Sequence, residues 1–187
     1  MNNDTRKTVE GVIFLVLFCL TVPAANWMIG HVGTICTANG PCLVPVAPGI
    51  MAPSGVLMIG AALVLRDLVQ RRLGPEFGVG AILAGAALSA AVAPASLVIA
   101  SGVAFLLSEG ADFAIYTPLA RRRLVLAVVA SSMAGLIVDS IVFLWLAFGS
   151  LDFLPGQILG KAWMVLLAIP LVAYLRRRDE RLGLLPA

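Results

Sequence analysis

The chain has 187 residues, 60% of them hydrophobic and only 12% charged, with a net charge of +3. Soluble domains run nearer roughly 45–50% apolar and 25% charged, so the composition argues against an ordinary soluble domain. It fits a polytopic membrane protein, long enough for several spans and too short to add a second soluble domain. Its basic residues gather at the ends of apolar runs, a placement that points to neither nucleic acid nor acidic substrates.

Six apolar segments come near the ~20 residues that cross a bilayer. They are read as one all-α transmembrane domain over 1–187. The first, Val9–Gly30, lacks a small-x-small cleavage site before polar sequence and is read as a retained helix. A long uncharged loop follows, "HVGTICTANGPCLVPVAPGIMAPSG", whose Pro41, Pro45, Pro48 and Pro53 prevent regular helix. Its run Leu43–Met51 is too apolar for a solvated loop: it either folds over a cavity as a lid or packs on the outer surface. Cys36 and Cys42 within it could pair in an oxidising compartment. With His31 they supply too few ligands, at no recognised spacing, for a metal site. The second segment is Pro53–Leu73 and ends in Arg66, Asp67, Arg71 and Arg72. The third, Phe77–Ala93, is mostly Gly and Ala, and suits either close helix packing or a homodimer face. The fourth is Ala95–Tyr116, entered by a short turn near Pro94; the fifth is Leu124–Phe148 and the sixth Pro155–Leu175.

The charges between segments alternate. Arg6 and Lys7 precede the first, Arg66, Arg71 and Arg72 close the second, Arg121–Arg123 separate the fourth from the fifth, and Arg176–Arg178 with Arg181 follow the sixth. The other connections contain no Lys or Arg. The positive-inside rule then puts both termini in the cytoplasm of a multi-pass protein of the inner membrane.

Charges inside such segments are the functional signal, because an ionised group at bilayer depth costs roughly 2.5–3.5 kcal/mol on insertion scales. Glu109 and Asp112 are three apart and share a helix face with Ser101, Phe105, Ser108 and Tyr116. Arg66 is at similar depth and is the expected ion partner of one of them. Asp139 and Lys161 lie roughly 13 and 9 Å in from the loop-side ends of their helices, close enough to pair. Gln157 is one turn from Lys161, and Asn26 and Trp163 could complete a site. No catalytic group, cofactor or metal site is expected. The single His31 permits no Ser-His-Asp arrangement, and there is no phosphate-binding loop of the Walker kind.

The segments "APSGVLMIGAALVLRDLVQRRLG", "FLLSEGADFAIYTPL", "GLIVDSIVFLWLAFGS" and "GQILGKAWM" resemble the VUT family of vitamin-uptake-like transporters, over about Met51 to Arg178. The resemblance implies a six-helix carrier similar to the substrate-binding subunits of energy-coupling-factor transporters. It implies uptake of a queuosine precursor, 7-cyano-7-deazaguanine or a related 7-deazapurine, as a secondary carrier. It also puts Glu109, Asp112, Asp139, Gln157 and Lys161 on the family's polar positions, and Asn26, Phe105 and Trp163 are expected beside them at the substrate, with Phe105, Phe143 or Trp163 stacking on the ring. The Pro-rich loop and the Arg66–Asp67 ending depart from the general pattern. Two alternatives stay open: a capture subunit served by a separate ATPase module, and a structural membrane protein whose charges only fix helix register.

Overall fold

The computed structural model describes residues 3–36, 41–93 and 98–184. Six helices carry the fold: α1 (Asn3–His31), α2 (Val56–Leu73), α3 (Pro75–Val92), α4 (Val98–Ala120), α5 (Leu124–Phe148) and α6 (Leu154–Leu182). Five of them, all but α2, are long and apolar enough to cross a membrane. The chain is therefore an all-α polytopic membrane protein. The predicted turn near Pro94 and the first residues of the fourth segment lie outside the described residues.

The outward faces are those of a protein solvated by lipid. Val12, Ile13, Val16, Leu17 and Leu20 of α1 are exposed, as are Leu166, Leu167 and Leu171 of α6. Patches this apolar are not left facing water. α2 is the opposite case. It packs against each of the other five helices, and 12 of its 18 residues are buried, including Arg66, Asp67, Gln70, Arg71 and Arg72. The surrounding helices allow this segment to carry four charges, since each can meet a partner instead of lipid. Two apolar clusters flank it. One joins Leu63, Leu68, Tyr116, Leu136 and Val172 across α2, α4, α5 and α6. The other joins Phe18, Ala62, Val69, Ala81 and Phe105 across α1 to α4.

The helices alternate in direction, so the arginine-bearing ends converge. There Arg71 and Arg72 grip Asp179, Arg72 approaches Glu10 at 2.8 Å, and Arg178 reaches Glu10 at 2.6 Å, tying α1, α2 and α6 together.

The other end carries structure that the all-helical reading omits. The long loop forms a three-stranded antiparallel sheet, β1 (Ile35–Cys36), β2 (Cys42–Ala47) and β3 (Ile50–Pro53). Cys36 faces Cys42 in the register, and the two form a disulfide. β2 turns into β3 through Pro48–Gly49, where Gly49 takes a φ of 74°, a left-handed conformation that favours glycine. Pro53, expected to open the second helix, is instead the last residue of β3. The sheet is fastened to the bundle by the Trp163 indole N–H donating to the Val46 carbonyl at 2.9 Å, and by Ser54 Oγ donating to the Met28 carbonyl at 2.7 Å.

Candidate functional site

Beneath the sheet, walled by residues of all six helices, lies a cavity of about 100 Å³. Its floor is polar: Asp139, Lys161 and Gln157 line it, with Asn26 on α1 and the hydroxyl residues Ser89 and Ser101. Phe105 and Phe143 supply aromatic walls, and Pro53, Gly55 and Val56 close it beneath the sheet.

The Lys161 ammonium organises this floor. It donates to Asp139 Oδ2 at 2.6 Å, Gln157 Oε1 at 2.7 Å and Ser140 Oγ at 2.8 Å, which uses its three N–H bonds. The sequence sets this up locally. Gln157 and Lys161 are four apart on α6 and share its face. Gly60 of α2 has no Cβ, and this lets the α6 backbone at Lys161 approach: a Cβ there would sit 2.8 Å from the Lys161 carbonyl oxygen.

Because an ammonium only donates, Gln157 must offer it the amide oxygen, and its Nε2 is left as a donor. Asp139 Oδ1 has no partner among the described residues, and the Asp139 side chain retains 13% exposure. Asn26 donates Nδ2 to the Val22 carbonyl at 3.0 Å, which leaves Oδ1 as an acceptor. The cavity therefore presents two acceptor oxygens, one of them anionic, an amide donor and aromatic faces. At about 100 Å³ it lies below the roughly 300–1,000 Å³ of sites for drug-sized ligands, which favours a small molecule.

Of the residues singled out from the sequence, Asn26, Phe105, Asp139, Gln157 and Lys161 come together here. Trp163 does not. It is two residues past Lys161, about 200° around the helix, and is half exposed with its N–H spent on the sheet. Glu109 and Asp112 are also not among the lining residues. Asp112 is eleven residues beyond Ser101, roughly 16 Å along α4, and both carboxylates belong to a second, closed group. Phe143 and Ser101, also singled out from the sequence, line the cavity too, whereas Ser89 joins it without having been expected there.

The closed group centres on Arg66. Its Nε donates to Glu109 at 2.9 Å, Nη1 donates to Gln70 Oε1 at 3.0 Å, and Nη2 donates to Asp112. Asp67, beside it on α2, lies 3.2 Å from the guanidinium and accepts from Ser131 Oγ at 3.0 Å. Arg66, Asp67 and Asp112 are fully buried, and Glu109 is 2% exposed. Arg66 was expected to pair with one carboxylate and instead meets three. A planar fork with five donors can do this where a lysine cannot. Among the described residues, no group of three or more His, Cys, Asp or Glu side chains is placed to hold a metal ion.

Residues 92–175, which span α4, α5 and most of α6, match the family model described as "Putative vitamin uptake transporter". No curated protein and no solved structure matches the chain. The matched segment contains Asp139, Gln157 and Lys161 of the cavity and Glu109 and Asp112 of the buried group. By this match, residues 92–175 resemble the vitamin uptake transporter family.

Proposed function

We propose that the protein is a secondary carrier that imports a 7-deazaguanine, the queuosine precursor 7-cyano-7-deazaguanine or a close relative. In this reading all six helices span the inner membrane, with both termini in the cytoplasm. The observation that carries it is the Asp139–Lys161–Gln157 floor facing a small aromatic-walled cavity, in a chain whose residues 92–175 match a family model of vitamin uptake transporters.

The chemistry is complementary. A deazaguanine presents its ring N1–H and exocyclic amine side by side. The Asp139 carboxylate accepts from them, and such charge-assisted bonds are roughly twice as strong as neutral ones. Gln157 Nε2 donates to the O6 oxygen, Asn26 Oδ1 accepts from the pyrrole N–H, and Phe105 or Phe143 stacks on the ring. A base lacking the paired donors leaves Asp139 unsatisfied in a dry site, at a cost of about 1–3 kcal/mol or more for a charged group. Glu109 and Asp112, first expected at the base, have a different task in this reading: they hold α2 to α4 through Arg66.

The test is binding of 7-cyano-7-deazaguanine, 7-aminomethyl-7-deazaguanine, queuine and guanine to the purified chain, followed by uptake into liposomes containing this chain alone. Binding that is lost in Asp139→Asn, with uptake by the wild type alone, is the expected result. Binding without uptake would make the chain a capture subunit. Failure of every base to bind or to raise thermal stability would refute the reading.

A further inference from the structure

The buried group around Arg66 has a charge inventory that does not balance. Three carboxyls, Asp67, Glu109 and Asp112, surround one guanidinium at 0–2% exposure. If all three were ionised the group would carry a net charge of −2 at the centre of the bundle. Unneutralised charge there is far more costly than a proton on one carboxyl.

Among the described residues, the neighbours supply no second cation. From α2 come Arg66 and the neutral Gln70; from α4, Glu109, Asp112, Tyr116 and Thr117; from α5, Ser131 and Ser132. Arg71 and Arg72 are committed to Asp179 at the arginine end, and Lys161 to Asp139 beside the cavity. α1 and α3 add nothing, since Glu10 pairs with Arg72 and Arg178, and Glu76 is exposed.

A second, independent observation says where one of the two missing positive charges sits. Asp67 Oδ1 and Asp112 Oδ2 are both buried without a hydrogen-bond partner. Both carboxyls lie against the same guanidinium, Asp67 at 3.2 Å and Asp112 in direct contact. Two carboxylates cannot bond to one another, because each only accepts; a carboxylic acid and a carboxylate can. Glu109 is different: neither of its oxygens is among the buried atoms left without a partner, and Oε2 receives the Arg66 Nε–H.

We propose that Asp67 and Asp112 hold one exchangeable proton between them in the resting protein, carried on an oxygen of one carboxyl and donated to the other. The cluster is then a proton-binding site that joins α2, α4 and α5. As the ion available to a carrier, this proton rests on the transport reading above. Its presence, however, is measured without any substrate, so failure here and failure to bind a deazaguanine are separate results.

The experiment is infrared spectroscopy of the full chain in lipid vesicles at neutral pH. The expected result is a protonated-carboxyl C=O band that shifts on exchange into D2O. Labelling aspartate side-chain carboxyls with 13C shifts the same band. Asp67→Asn and Asp112→Asn each abolish it, because the remaining carboxyl stays ionised against Arg66 and the new amide donates in place of the proton. Glu76→Gln, on the surface, leaves it intact. The absence of a protonated-carboxyl band in the wild type would overturn the proposal, as would a band insensitive to aspartate labelling. The labelling arm uses only wild-type protein and decides the matter even where an Asn variant fails to fold.

Discussion

Replacing Lys161 by methionine keeps the side chain's length and removes its charge. The structure sets the consequence: three acceptors at 2.6–2.8 Å, Asp139, Gln157 and Ser140, lose their common donor at once. Breaking a buried pair from one side costs about 3–5 kcal/mol, because the remaining charge is uncompensated. Asp139 retains 13% exposure toward the cavity, so the lower part of that range, about 3 kcal/mol, is expected. For a chain of this size that corresponds to a fall in Tm of roughly 6–12 °C. The double variant Lys161→Met with Asp139→Leu removes both charges and should recover most of the loss, since an apolar pair often replaces an ion pair without penalty. The assay is thermal unfolding of the purified variants in detergent, with binding of 7-cyano-7-deazaguanine measured in parallel. The double variant should be stable and yet fail to bind, which separates the pair's structural contribution from its place at the ligand. A single variant as stable as the wild type would refute the reasoning about the pair, and a double variant that binds normally would refute the site.

Arg66→Met leaves Asp67, Glu109 and Asp112 without their cation, and should cost about 3–5 kcal/mol or prevent accumulation in the membrane. Arg66→Lys should rescue it poorly, because an ammonium lacks the planar fork; expression level and Tm are the readouts. Gly60→Val should push α6 away at Lys161, lowering Tm and weakening deazaguanine binding together, whereas Gly80→Val, where a Cβ meets open space, should do neither. Opening the Cys36–Cys42 disulfide with Cys36→Ala and Cys42→Ala should cost about 2 kcal/mol by loop-closure entropy, and reductant should lower the wild-type Tm by the same amount while leaving the double variant unmoved. Trp163→Phe removes the indole bond to Val46 and should cost about 1 kcal/mol without lowering affinity for the base, since Trp163 is not in the cavity lining.

Much of this protein follows from one-dimensional chemistry. Apolar runs long enough to cross a bilayer mark the helices, because lipid leaves backbone amides no partner outside their own segment. Asp139 and Lys161 were legible as a pair from their depths alone, because helical rise converts residue count into distance. The family resemblance read from the sequence is matched over 92–175. Spacing could not say which of two polar groups opens on a void, because it fixes depth and face but not what stands opposite. Glu109 and Asp112 read from the sequence as cavity-lining acids; the packing of α2 against α4 placed Arg66 between them and sealed the space. The Pro-rich loop could not be resolved into lid or surface packing until β1, β2 and β3 paired, since strand register depends on partners distant in the chain. Tertiary packing also decided that α2, alone of the six helices in not being long and apolar enough to cross a membrane, sits in the middle: its charges find their partners only when the other five helices enclose it.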